Sequence, residues 1–174
     1  MRSGTMLIAL VLLTAVALVP PVALADRPTV INGGGTGTFG ADLDGDGDID
    51  GSHFGLGVVI RGDGSVRGHF QCLMAGNADI LGLPLMAVEG KVLTASVSGS
   101  SAVVSGVATV NLGNGVKFGS VPFRVILTPG GPGIGSLRLT VIGAFDGVPG
   151  DTAPGNGNYD LPTEIVSTGQ IRMP

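Results

Sequence analysis

The sequence predicts an all-β fold, an antiparallel β-sandwich or barrel of about eight or nine short strands. Three observations predict it. Apolar residues recur at every second position along most of the chain. Gly-, Asn-Gly- and Pro-Gly-rich turns interrupt that pattern at close spacing, and nothing after the first 25 residues carries a helical period. Gly and Pro supply 32 and 11 of the 174 residues, at the edge of low-complexity composition. The 44% hydrophobic content and the regular alternation place the chain with packed folds instead.

The first segment is read as an export leader. Arg2 supplies a positive start, Met6 to Val19 is an uncharged apolar run, and Pro20-Pro21 breaks it. Ala23-Leu24-Ala25 then gives the small-x-small pattern of a signal-peptidase site, so residues 1–25 are expected to be removed. The run is short of the roughly 20 apolar residues that span a bilayer as a helix. Residues 26–174 are expected to form one secreted domain, periplasmic or extracellular, with no membrane span.

The alternation is clearest from Phe54 onward. Phe54, Leu56, Val58 and Ile60 share one parity, and Val66, Phe70 and Cys72 continue it across Arg61-Gly62-Asp63-Gly64-Ser65. For both sets to face the same side, Arg61 must oppose Ser65, with Gly64 left-handed in a three-residue loop. Leu93, Ala95 and Val97 then alternate with Thr94, Ser96 and Ser98. Ala102, Val104, Ala108 and Val110 follow, Asn114-Gly115 turns the chain, and Val121, Phe123, Val125 and Leu127 alternate around Arg124. Pro129 to Gly133 forms the next turn before Leu137, Leu139, Val141 and Phe145. Residues 146–160 read as a long polar loop, and Glu164 to Arg172 as the closing strand. Cys72 is the only cysteine and is expected to be a buried thiol on an apolar strand face.

Charge is concentrated in one place. Without Arg2 the exported chain has 8 basic and 13 acidic residues, and five of the acids are Asp42, Asp44, Asp46, Asp48 and Asp50. Everything outside that stretch balances at eight against eight. With no basic patch, one Tyr and no Trp, nucleic acid is excluded as the expected partner. An extracellular ligand or envelope component remains.

The five aspartates suggest calcium. A hard cation wants six or seven oxygens, and an EF-hand-type loop supplies them from positions 1, 3, 5, 7, 9 and 12 with Gly at 6. Asp42 at position 1 puts Asp44 at 3, Asp46 at 5, Gly47 at 6, the Asp48 carbonyl at 7 and Asp50 at 9. Position 12 is His53, where a bidentate acid belongs, and Gly55, Gly57 and the β-branched Val58 to Ile60 disfavour an exiting helix. The acidic loop at 42–53 is thus half of the motif, delivered into a strand. It resembles the first half of a dockerin repeat, without the second repeat. Calcium is the expected ligand, at the weak affinity of extracellular modules, on the order of 10⁻⁴–10⁻³ M.

Other motifs carry less. Gly35 to Gly40 matches G-x-G-x-x-G, but no strand–turn–helix unit follows, so it reads as the glycine-rich start of a strand. Arg61-Gly62-Asp63 spells an adhesion tripeptide, although a turn needs Gly and Asp anyway. In the hairpin register His69 lies opposite Gly57, about 13 Å along the strand from His53, so the two histidines share a face but no metal. Neither stands in a nucleophile motif, and no catalytic residue is assigned. Glu89 and Glu164 are the only glutamates and are expected on solvated strand faces.

The stretches FGLGVVIRGDGSVRGHFQC, GKVLTASVSGSSAVVSGVATVNLGNG and PFRVILTPGGPGIGSLRLTV, with the closing STGQIRMP, resemble secreted bacterial β-domains of the post-COAP type. That resemblance implies secretion, a β architecture and use as an accessory module, with no catalytic residues. Members often carry acids in the turn where Thr128 and Gly131 stand here. The expected function is a secreted non-catalytic binding or structural module stabilised by calcium. The alternatives are a small carboxylate hydrolase and a self-associating envelope protein.

Overall fold

The computed structural model describes residues 27–43, 45–47, 49–74 and 86–174. The leader expected at 1–25 lies outside them, as do Asp44 and Asp48. The strands are β1 (Thr29–Thr38), β2 (Gly51–Ile60), β3 (Val66–Leu73), β4 (Ala87–Ser98), β5 (Ser101–Asn111), β6 (Lys117–Thr128), β7 (Ser136–Ile142), β8 (Asn158–Asp160) and β9 (Glu164–Arg172). All pairings are antiparallel.

The all-β expectation holds, and of its two forms the sheet takes the closed one. Neighbours run β6-β5-β4-β3-β2-β1-β9-β7, and β7 pairs back to β6, giving a ring of eight strands. β8 and β9 lie in succession along one edge of β7: Asn158 to Asp160 pair with Ile142 to Thr140, and Glu164 and Ile165 with Leu137 and Ser136. A barrel of this size has an interior that side chains can fill. Phe70 and Phe123 stack across it with centroids 5.6 Å apart, and Met74, Met86, Tyr159 and Leu161 are also fully buried.

The hairpin register is the one the parity required. Arg61 N–H donates to Ser65 O at 2.9 Å, Gly64 sits at φ +79°, and His69 pairs with Gly57. Outward positions of β2 to β6 carry His53, Arg67, His69, Glu89, Lys91 and Arg124, all exposed. Among the described residues no helix is long and apolar enough to cross a membrane.

Glycine has a local use in this barrel. The Phe123 ring occupies the space where a Cβ on Gly90 would stand, and a Cβ on Gly106 would overlap the Lys91 carbonyl of the next strand. Glycines in strands mark such close approaches and bends.

Leu93 lies on the face opposite to the one that alternation predicts. Leu93 was expected inward with Ala95 and Val97, yet it is 48% exposed while Val92 is buried. The β4–β5 register shifts between Val92 and Thr94, so the extra residue reverses the parity.

Strand direction sorts the connections into two kinds. The tight turns 61–65, 99–100 and 129–135 lie at one end of the barrel, with Arg27 and Arg172. Residues 39–43 and 49–50, Met74, Met86 and the connections 112–116 and 143–157 lie at the other. The first is the hairpin end and the second the loop end.

Candidate functional site

The loop end holds the acidic residues singled out by the sequence. Asp42 folds its carboxylate back over the loop, accepting the Gly45 N–H at 2.5 Å and the Gly47 N–H at 3.0 Å. Gly47, at the sixth position, has φ +102°, and Gly45 has φ +80°. Glycine takes such backbone freely, so the chain bends where the calcium spacing needs it to bend. Asp46 is exposed, whereas Asp50 is only 1% exposed and accepts the Leu43 N–H. The Asp50 carbonyl in turn accepts the Phe39 N–H at 2.8 Å, closing the base of the loop. Asp50 therefore ties the loop to the barrel rim. Among the described residues no group of three His, Cys, Asp or Glu side chains gathers as a metal would require.

The second long connection at this end, 143–157, is polar as expected but is organised by carboxylates. Asp146 accepts the Gly155 and Gly157 N–H groups at 2.7 and 3.0 Å. Asp151 accepts those of Gly147, Ala153 and Asp160 at 2.8, 3.0 and 3.2 Å. Donation from Ala153 and then Gly147 holds the Asp151 carboxyl below the usual range. Asp160 is held low as well, first by the Asn156 amide at 2.8 Å and then by Thr140, with Arg138 3.7 Å away. Beneath the loop, the buried Tyr159 donates its hydroxyl to Pro149 O at 3.0 Å. Residues 158–160, expected to continue the loop, instead pair with β7 as β8.

The barrel interior contains a group that the sequence placed outside. Glu164 was expected on a solvated face and is 1% exposed. The exposed Ile165 and buried Val166 fix the parity of β9, which puts Glu164 inward. A bulge between Thr36 and Gly37, opposite Val166 and Thr168, then reverses it, so that Ile171 also points in. Ser52 Oγ donates to Glu164 Oε2 at 2.5 Å, and the backbone of Gly37 packs so closely that an added Cβ would lie 2.5 Å from the same oxygen. Burial pushes the Glu164 carboxyl up to about 7, with the Ser52 hydroxyl and N–H opposing the shift. Glu89, the other glutamate, is exposed as expected.

Cys72 is buried, as expected, at 1% exposure. Burial first, and the Glu164 carboxylate second, push its thiol well above the ordinary range. The expected result is that a thiol reagent labels Cys72 only on global unfolding, with labelling and loss of structure sharing one denaturant midpoint. Labelling well before that midpoint would contradict the burial.

The two histidines stand apart. His53 pairs with Leu73 and His69 with Gly57, both exposed on the outer face. In the adhesion-like tripeptide, Asp63 Oδ1 accepts the Ser65 N–H at 2.8 Å and Arg61 reaches Ser65 Oγ at 3.4 Å, so both side chains serve the turn. Beside the acidic loop, a shallow groove of about 210 Å³ runs between Thr36, Ile49, Ser52, His53 and Ser167. The β1–β9 bulge brings Thr36 Oγ1 within 2.8 Å of Ser167 Oγ and 2.7 Å of Thr168 Oγ1, a hydroxyl trio that parity alone could not place. Comparison with known proteins gave no match to any family model, curated protein or solved structure.

Proposed function

We propose that the protein is an exported, non-catalytic binding or structural module whose loop end is stiffened by calcium bound in the 42–53 loop. The observation that carries this reading is the bend at Gly47 beneath the Asp42 carboxylate. A calcium loop needs a turn at its sixth position, where Gly47 stands, and the buried Asp50 stands at the ninth. Asp42, Asp44 and Asp46 would supply carboxylates, the Asp48 carbonyl the seventh position, and water the ligand that His53 does not. Calcium would supply charge neutralisation, bringing the aspartates together without repulsion. An export leader at 1–25 would deliver the loop to a compartment rich in calcium. The resemblance to post-COAP-type domains favours the same accessory role.

A non-catalytic reading also suits the interior. A carboxylate hydrolase needs two acids facing a shared, open cleft. Glu164 has the raised carboxyl of a general acid, but it lies inside the ring with Ser52 and Cys72.

Thermal melting with and without calcium tests the proposal. With a dissociation constant near 10⁻³ M, about 10 mM calcium stabilises by about 1.4 kcal/mol, or roughly 3–6 °C for a domain of this size. Asp42→Asn combined with Asp46→Asn is expected to abolish that rise. A wild-type melting temperature unmoved by calcium would sink the proposal.

A further inference from the structure

The barrel has two unlike ends, and their charges are complementary. At the loop end Asp42, Asp46 and Asp146 are exposed, and among the described residues the cationic side chains there are Lys117 and Arg138, the latter against Asp160 and Thr152. At the hairpin end Arg27, Arg61, Arg67 and Arg172 are exposed, and Asp63 is the one acid among the described residues. Each end also presents apolar side chains. Ile134 is 72% exposed at the hairpin end, while Ile49 (64%) and Phe118 (42%) are exposed at the loop end. Phe118 stacks edge-on against Phe145 at 5.2 Å, and Phe145 is held at φ +62°, rare for a bulky residue.

Ring closure gives each strand of the barrel neighbours on both sides, so edge-to-edge strand pairing is not the natural contact between copies. The ends remain. We propose that copies of this chain associate head to tail, the acidic loop end of one against the basic hairpin end of the next. The occupant is a second copy because its hairpin end supplies the cluster of arginines that the acidic loop end lacks, with the exposed Ile134 beside it. Opposite fields steer such partners together, and the effect fades as salt shortens the screening length. The contact is heterologous and does not close by two-fold symmetry, so it generates open chains rather than dimers. It does not depend on the calcium proposal, and calcium in the loop would weaken it by reducing the acidic charge.

The test is sedimentation of the protein recovered after export, in chelator, so that failure of the calcium reading leaves it unaffected. At about 0.01 M ionic strength, where screening acts over about 30 Å, mass is expected to grow with concentration beyond the dimer. At about 1 M salt, where the length is about 3 Å, the protein is expected to be monomeric. Arg67→Gln with Arg172→Gln disables one end, and Asp46→Asn with Ile49→Ser the other. Each double variant alone is expected to remain monomeric, while a mixture of the two forms a one-to-one complex and grows no further. Wild type that stays monomeric at low salt, or association that neither salt nor the variants change, overturns the proposal. Wild type that stays monomeric yet binds polylysine overturns it too, replacing the second copy with a foreign cationic partner.

Discussion

Glu164→Gln is expected to stabilise the protein at pH 8 and to leave it nearly unchanged at pH 4. The cause is the enclosed carboxyl. Unfolded, it releases its proton near 4.5; folded, near 7, chiefly because burial penalises the charged form. The folded state therefore holds the proton more tightly. The contribution of Glu164 is full below about pH 4.5, declines as pH rises toward 7, and is flat above, where neither state is protonated. A shift of this size corresponds to about 3 kcal/mol across the window. Glutamine keeps the shape and an acceptor for Ser52 Oγ without the charge. Urea unfolding at pH 4 and pH 8 of both proteins checks it, since other titrating groups cancel in the difference. Equal pH slopes for wild type and variant would mean that Glu164 is solvated.

The second large effect concerns Gly90 and Phe123. Gly90→Ala is expected to destabilise by about 1–3 kcal/mol, because the new methyl meets the Phe123 ring in a packed interior. In a Phe123→Leu background the same change is expected to cost much less, since the ring it strikes is gone. Phe123→Leu carries its own loss from the stack with Phe70, so the evidence of contact is the non-additivity and not either single value. Gly106→Ala is the control. Its methyl meets the Lys91 carbonyl, and the Phe123 background should not rescue it. Additive losses at Gly90 and Phe123 would place the ring elsewhere.

These two sites also show what the sequence could and could not disclose. Parity placed Phe123, Cys72 and Leu139 inside and joined Arg61 to Ser65, because the alternation of a half-buried strand needs only the order of residues. Closure was not legible. It depends on β7 meeting both β6 and β9, a pairing between distant segments that no local pattern specifies. Leu93 and Glu164 were misplaced for complementary reasons. A bulge turned a leucine outward, and a carboxylate stood on the inner face of a strand where chemistry argues for the outer one. Inward-facing acids are rare because burial disfavours their charge, so polarity is ordinarily a sound guide. Here parity with Val166 was the better signal. The acidic loop was legible as a composition and a spacing, and its Gly47 bend followed from them. The inward turn of Asp50 did not, since it depends on the Leu43 amide and the barrel rim.

Calcium at the loop end is the central claim, and amide chemical shifts during a calcium titration test it most directly. Leu43, Gly45 and Gly47 donate their N–H groups to the carboxylates of Asp50 and Asp42. Those amides are expected to shift saturably, with a midpoint on the order of 10⁻⁴–10⁻³ M, while Gly64 and Ser65 at the opposite end stay still. Loop amides that do not move through about 10 mM calcium, a concentration well above that midpoint, would contradict the account, as would small unsaturating shifts spread over both ends.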